Sequence, residues 1–293
     1  MKVDTRLIEF SSPPIRSLRV DRPDATYRVL CWGRGDVPLM LLHGFTGSAD
    51  VWTLPLAGIG STMTIIAPDL LGHGRTLAND DPARFTIQHA AADLIAVLDQ
   101  MHIDRPVLHG YSMGGRLALY TALHYPERFT ALSLESASPG LASPQERSAR
   151  MAADDALAER ITAHGVEAFV DYWEQTPLFR HQVDTAPEPV RLRQRVIRLS
   201  QRPAGLAASL RGMGTGSQPS LWEQLDRLRM PVQIMSGQLD AKFEAIADEM
   251  AHRIPRRRRV SVPRAGHAVH VEAPDSWRAA LIEFIDFVSR PNA

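Results

Sequence analysis

The chain has 293 residues, with 33 basic and 33 acidic side chains, a formal net charge of zero and a pI near 7.2. That balance argues against nucleic-acid binding through a general basic field. Its 44% hydrophobic content is ample for a sizeable core. A single cysteine, Cys31, excludes an internal disulfide framework and a cysteine-only metal cage, and reads as a buried structural thiol. Length alone suggests about two domains, although α/β domains of this size are often single.

In chain order, the first 20 residues lack a continuous apolar run and do not read as a secretory signal. No stretch approaches the roughly 18 apolar residues of a membrane span, so the expected location is the cytoplasm. Two weak strands, around Leu18 and over 27–31, suit an antiparallel edge. Short apolar runs at 37–42, 63–67, 106–108, 131–134, 232–235 and 259–262 have strand character. Helical spacing falls between them at 87–101 (Ala91, Leu94, Ile95, Leu98), 114–124, 241–253 and 274–288. Such alternation predicts a mostly parallel sheet flanked by helices. Residues 141–220 hold no strand candidate, only helical patterns rich in Ala and Arg. They are expected to form a helical cap inserted after the sixth strand, with 1–140 and 221–293 as the core. The cap would lie over the carboxyl edge of the sheet, where open α/β sheets bind ligands.

The strongest chemical signal is His109-Gly110-Tyr111-Ser112-Met113-Gly114-Gly115, a G-x-S-x-G between strand and helix. A serine there sits on a tight, strained turn that lifts its hydroxyl clear of the sheet, beside the free amides of a helix N-terminus. Asp240 follows the next-to-last strand and His267 the last, so Ser112, Asp240 and His267 come in the order of a hydrolase triad. His43-Gly44-Phe45 follows an early strand. The Phe45 N–H, with that of Met113, would make a two-donor oxyanion hole, in which one donor contributes about 3 kcal/mol to the transition state. The loop from Asp69 to Gly74 reads as structural.

These motifs resemble the α/β-hydrolase superfamily over essentially the whole chain. Within it, Gly110 to Leu119 is similar to the nucleophile segment of the menaquinone-pathway synthases that make 2-succinyl-6-hydroxy-2,4-cyclohexadiene-1-carboxylate. Similar too are Leu134 to Leu141, the cap segments Tyr172 to Phe179 and Leu210 to Gly216, Asp240-Ala241-Lys242-Phe243 and Ala265 to His270. The resemblance implies a lyase: Ser112, activated by His267 and Asp240, acts as a base on a ring proton and pyruvate leaves, with no metal or organic cofactor. A small-molecule substrate with three carboxylates calls for arginine forks. Arg116 lies one helical turn after Ser112. By the family pattern Arg150 and Arg198 converge on the ligand as well, with Tyr111, Trp173 and Phe179 as apolar walls.

Other features read as bland. Arg256 to Arg259 is taken as a solvated loop leading into a strand, and His89 and His102 as surface residues. The remaining cap arginines (Arg147, Arg180, Arg191, Arg193, Arg195, Arg202 and Arg211) are expected to be mostly solvated. Two alternatives stay open: a hydrolase of esters or of carbon–carbon bonds in diketone-like acids, and a non-catalytic ligand receptor on this fold.

Overall fold

Strand pairing begins with β1 (Arg16–Asp21) and β2 (Ala25–Gly33), an antiparallel pair with Arg16 opposite Cys31. β3 (Val37–Leu42) runs parallel to β4 (Met63–Pro68), and β4 closes antiparallel on β2. β5 (Leu77–Ala78) adds two residues alongside β2. β6 (Val107–Tyr111), β7 (Ala131–Glu135), β8 (Val232–Gly237) and β9 (Arg257–Val262) extend the parallel part, giving the order β1-β2-β4-β3-β6-β7-β8-β9. The structure is a computed structural model that describes residues 14–57, 62–79 and 81–290. The N-terminal stretch read above for a secretory signal falls largely outside them.

Along β3, Leu39 and Leu41 enter one apolar cluster while Met40 and Leu42 enter another. That two-residue alternation is what a strand buried on both faces requires. α1 (Ile87–Gln100) begins where the Thr86 hydroxyl accepts the His89 N–H, and it lays Ala91, Leu94 and Leu98 on one face of the sheet. α2 (Met113–His124) packs on the same face through Leu117, Ala118 and Leu119.

After β7 the chain leaves the sheet for four helices. α3 (Pro144–Glu174) opens with a capping box, in which the Ser143 hydroxyl accepts the Glu146 N–H and the Glu146 carboxylate accepts the Ser143 N–H. It breaks at Gly165, whose φ of 80° and ψ of 175° are not helical. α4 (Pro177–Thr185), α5 (Glu188–Leu199) and α6 (Pro203–Met213) each carry a proline in the first turn, where a missing N–H costs nothing. These helices have their own apolar cluster, including Ile161, Phe169, Val170, Leu206 and Leu210. On its return the chain forms α7 (Ala241–Arg253) on the face of α1 and α2. α8 (Val269–Glu272) and α9 (Pro274–Val288) cover the opposite face, where Trp52 and Trp277 stack in the core. The short β5 makes the helical insertion follow the seventh strand, not the sixth.

One expectation needs correction. Arg257 and Arg258 join Arg259 in β9 and pair with β8 instead of forming a loop. Arg258 pairs with Glu283, and Arg259 with Glu244 and Asp248. β9 is an outer strand, and charged side chains there discourage another strand from adding on. The seven other cap arginines are exposed or half-buried, as expected, and two of them also fasten the insertion down: Arg193 donates to Asp50 O and Thr53 Oγ1, and Arg202 to Thr76 O.

The cap cluster is small, so each member matters. Leu206 has no exposed surface, and Leu206→Ala is expected to cost about 2–5 kcal/mol. A lower urea midpoint at unchanged slope would register it.

Candidate active site

The sheet order reverses between β3 and β6, since the chain steps from β3 outward to β4 and then returns to the other side. In open α/β sheets a crevice opens at that point, beyond the carboxyl ends of the strands. Leu42 and Gly110 are paired in register, so the loop after β3 and the turn after β6 leave the sheet side by side.

Ser112 stands in that turn with φ 51° and ψ −111°, a conformation that L side chains rarely adopt. Its N–H donates to Glu135 O at 2.9 Å, and its carbonyl accepts the Arg116 N–H at 2.9 Å, the first bond of α2. The crossing leaves no space for side chains. A Cβ on Gly110 would lie 2.7 Å from Gly115 Cα, and one on Gly114 would collide with the Leu42 carbonyl.

His267 reaches Ser112 from the loop after β9. Its Nε2 lies 2.9 Å from Ser112 Oγ and its Nδ1 2.7 Å from Asp240 Oδ2. With Nδ1–H donating to the carboxylate, Nε2 is free to accept the serine proton. Asp240 is itself held by the Phe243 N–H, donated to Oδ1 at 3.2 Å. The imidazole is buried, with Phe243, Tyr111 and Phe179 rings 4.5, 5.5 and 5.9 Å away.

The loop after β3 forms the facing wall. A Cβ on Gly44 would fall 2.6 Å from the Tyr111 ring and 3.5 Å from Ser112 Cβ, so only glycine lets this backbone approach so closely. Among the described residues the Phe45 N–H has no partner. Met113 opens α2, where a helix leaves its N–H groups unpaired. His43 anchors the loop: Nδ1–H donates to Gly44 O at 2.8 Å and Nε2 accepts the Leu70 N–H at 2.9 Å. Asp69 braces it further, accepting the Ala49 and Arg75 N–H groups and pairing with Arg28.

Ser112 and His267 open into a cavity of about 200 Å³ between sheet and cap. Phe45, Tyr111, Met113, Trp173, Leu178 and Phe179 line it, with Arg116, Arg150 and Lys242 as its charged groups beside the triad histidine and no carboxylate. Arg116 Nη1 donates to Met213 O and Gln218 Oε1, both at 2.8 Å, leaving Nε and Nη2 without a partner among the described residues. Burial and then the neighbouring Arg150 pull its pKa down to about 10. Arg150 Nε donates to Asp154 at 2.7 Å. Tyr111 Oη, Trp173 Nε1 and Ser136 Oγ, all on lining residues, are buried with no partner among the described residues.

Arg198 stands apart. It is buried behind Phe179, donating to Glu174 Oε1 at 2.9 Å and Gln182 Oε1 at 2.7 Å. It borders a separate chamber of about 30 Å³ and does not line the cavity of Ser112. Lys242 was not singled out from the sequence. Its place two residues after Asp240, in the first turn of α7, was the available signal.

This sheet, with a serine on the turn after β6 and histidine and aspartate after the last two strands, defines an α/β-hydrolase-class protein. A family model described as alpha/beta hydrolase fold matches residues 37–274. A putative 2-succinyl-6-hydroxy-2,4-cyclohexadiene-1-carboxylate synthase of Bacillus subtilis is 44% identical over 263 residues, covering 90% of this chain and 92% of that one. The synthase of the same name from Serratia proteamaculans is 32% identical, covering 88% and 97%. The solved structure of MenH from S. aureus superposes with a TM-score of 0.85 at 31% identity, over 92% of this chain and all of the other. The chain belongs to the α/β-hydrolase family and, within it, to the family of the 2-succinyl-6-hydroxy-2,4-cyclohexadiene-1-carboxylate synthases. Among the described residues no helix is long and apolar enough to cross a membrane.

The buried histidines of the facing wall give a pH signature. Burial lowers His43 to about 4; burial and then His43 lower His73 to about 3. Unfolded histidines take up protons near pH 6.5, so below that pH the unfolded chain binds more protons than the folded one. Stability is therefore expected to fall as pH drops from about 6.5 toward 4, by about 1.4 kcal/mol per pH unit for each histidine. Urea midpoints between pH 6.5 and 4.5 measure this, and His73→Asn should flatten the slope by about 1.4 kcal/mol per pH unit, with buried His43 and His109 keeping the remainder. A flat wild-type profile would contradict it.

Proposed function

We propose that this protein is a cytoplasmic lyase of menaquinone biosynthesis. It eliminates pyruvate from 2-succinyl-5-enolpyruvyl-6-hydroxy-3-cyclohexene-1-carboxylate to give 2-succinyl-6-hydroxy-2,4-cyclohexadiene-1-carboxylate. The observation that carries this reading is the Ser112–His267–Asp240 chain of hydrogen bonds opening into a cavity lined by Arg116, Arg150 and Lys242 and by no carboxylate. A substrate with three carboxylates matches that lining, whereas a neutral ester has no use for it.

In this reading His267 withdraws the Ser112 hydroxyl proton, and Asp240 balances the imidazolium that forms. The serine oxygen then removes a ring proton alpha to the succinyl carbonyl. The electron pair moves onto the carbonyl oxygen, where the Phe45 and Met113 amides receive the charge. When the pair returns it forms the double bond between ring carbons 2 and 3, the existing double bond shifts to carbons 4 and 5, and the bond from carbon 5 to the enolpyruvyl oxygen breaks. The leaving oxygen takes back the proton held between Ser112 and His267, and the enol tautomerises to pyruvate. No covalent bond to Ser112 is needed, although the same relay on a carbonyl carbon would give a hydrolase.

Residues 141–220 act as the cap, bringing Arg150 and the rings of Trp173 and Phe179 over the substrate. Arg116 contributes a two-point contact from the core. Arg198 acts from behind Phe179, lending charge to the wall instead of a direct contact.

Measuring pyruvate release from the enolpyruvyl precursor against p-nitrophenyl ester turnover tests the reading. Rapid pyruvate release with slow ester cleavage is expected; fast ester cleavage with no pyruvate would replace the lyase with a hydrolase. Ser112→Ala should fold normally and lose about 10⁴-fold or more in kcat. Arg116→Lys should lose about tenfold in kcat/KM, since one ammonium cannot span the two contacts of a guanidinium. Wild-type kinetics in either variant would remove that residue from its role.

A further inference from the structure

Outside the relay, one carboxylate touches both sides of the catalytic loop. Glu272 is the last residue of α8, and only 2% of its side chain is exposed. Its Oε2 accepts the Gly266 N–H at 2.8 Å and its Oε1 accepts the Ala268 N–H at 3.1 Å, the two amides flanking His267. The approach is close enough that a Cβ on Gly266 would lie 2.9 Å from Oε2. A buried carboxylate needs such donors to offset its lost hydration. Here they fix the backbone on either side of the imidazole.

The third donor comes from the insertion. His181, on α4, places Nδ1 2.6 Å from Glu272 Oε2. α4 also carries Leu178 and Phe179, which wall the cavity, and the Phe179 ring stands 5.9 Å from the His267 ring. One carboxylate therefore joins the loop that aims the imidazole to the helix that closes over it.

We propose that Glu272 is a positioning residue for His267, and that its bond to His181 ties the seating of α4 over the cavity to the aim of the imidazole. The inference rests on the reading that Ser112 and His267 perform the chemistry, but not on which substrate they convert. His181 is partly exposed while Glu272 is enclosed, so α4 can lift only by breaking this pair, whereas the two amides stay bound to Glu272. Loss of His181 should loosen ligand binding and spare the relay; loss of the Glu272 charge should damage the relay itself.

Phosphonylation of Ser112 by a carboxylate-bearing fluorophosphonate tests this without reference to pyruvate. The limiting rate and the half-saturating concentration are measured for wild type, His181→Ala, Glu272→Gln and the double variant. Glu272→Gln should lower the limiting rate at least tenfold. His181→Ala should raise half-saturation about fivefold and keep the limiting rate within twofold. Added to Glu272→Gln, it should change half-saturation by less than twofold, because the tie is already lost. A folded Glu272→Gln with the wild-type limiting rate overturns the positioning role. An undiminished His181 effect in the double variant overturns the tie. If Glu272→Gln does not melt cooperatively, Glu272→Asp, a methylene short but still charged, takes its place under the same criteria. Normal wild-type labelling without pyruvate release would refute the lyase reading and leave this inference standing.

Discussion

Ser112 sits in a backbone conformation that costs of order 1–3 kcal/mol, and the surrounding site is organised around sustaining it. The carbonyl of Glu135 accepts the Ser112 N–H, while the buried side chain of the same residue accepts both the N–H and the Nδ1–H of His270. Burial alone would raise the Glu135 pKa, but His270 and His109 outweigh it and hold the carboxyl near 2. His270 lies three residues beyond His267. The turn that carries Ser112 and the segment just beyond His267 are thus both bonded to one residue at the end of β7.

The cavity adds an electrostatic bias to this rigid frame. Arg116 and Arg150 face the same space, and Arg116 is less basic than an exposed arginine because burial and its neighbour both disfavour its charge. A bound carboxylate relieves both penalties at once. Glu174 answers Arg198 from within the chain, so Arg198 needs no ligand to be stable where it is. Asp154 likewise answers Arg150, so of the three only Arg116 has neutral acceptors alone among the described residues, and side-chain type does not reveal the difference.

Local signals recovered most of the sheet. The run at 37–42 and the helices at 241–253 and 274–288 coincide with their elements because apolar periodicity and flanking turns agree there. β6 extends to Tyr111, past the stretch read as strand, since His109 and Gly110 carry no strand preference yet pair with β7. β5 has two residues and no pattern to detect. Arg257 and Arg258 in β9 read as loop because a run of like charges carries no strand signal, and the carboxylate that answers Arg258, Glu283, is distant in sequence. In the site, chain order sufficed to pick out Ser112, Asp240 and His267, which the fold brings into contact. The separation of Arg198 from Arg116 and Arg150 depends on Glu174 and Gln182, long-range partners that no spacing rule connects. Lys242 belongs to a segment that carries the family resemblance, but an exposed lysine near a helix start gives no signal of a role of its own.

The break in α3 has a bearing on how such a scaffold diversifies. A side chain on Gly165 would find open space, so nothing but its dihedral angles resists replacement. Beyond the break, the second half of α3 carries Phe169 and Trp173 toward Phe45. Any substitution that straightens this joint swings an entire aromatic panel, and Trp173 passes the shift to the Phe179 ring beside it. Substrate scope in such a lineage can drift through a change of angle at one solvent-facing joint, with every residue that meets the ligand keeping its identity.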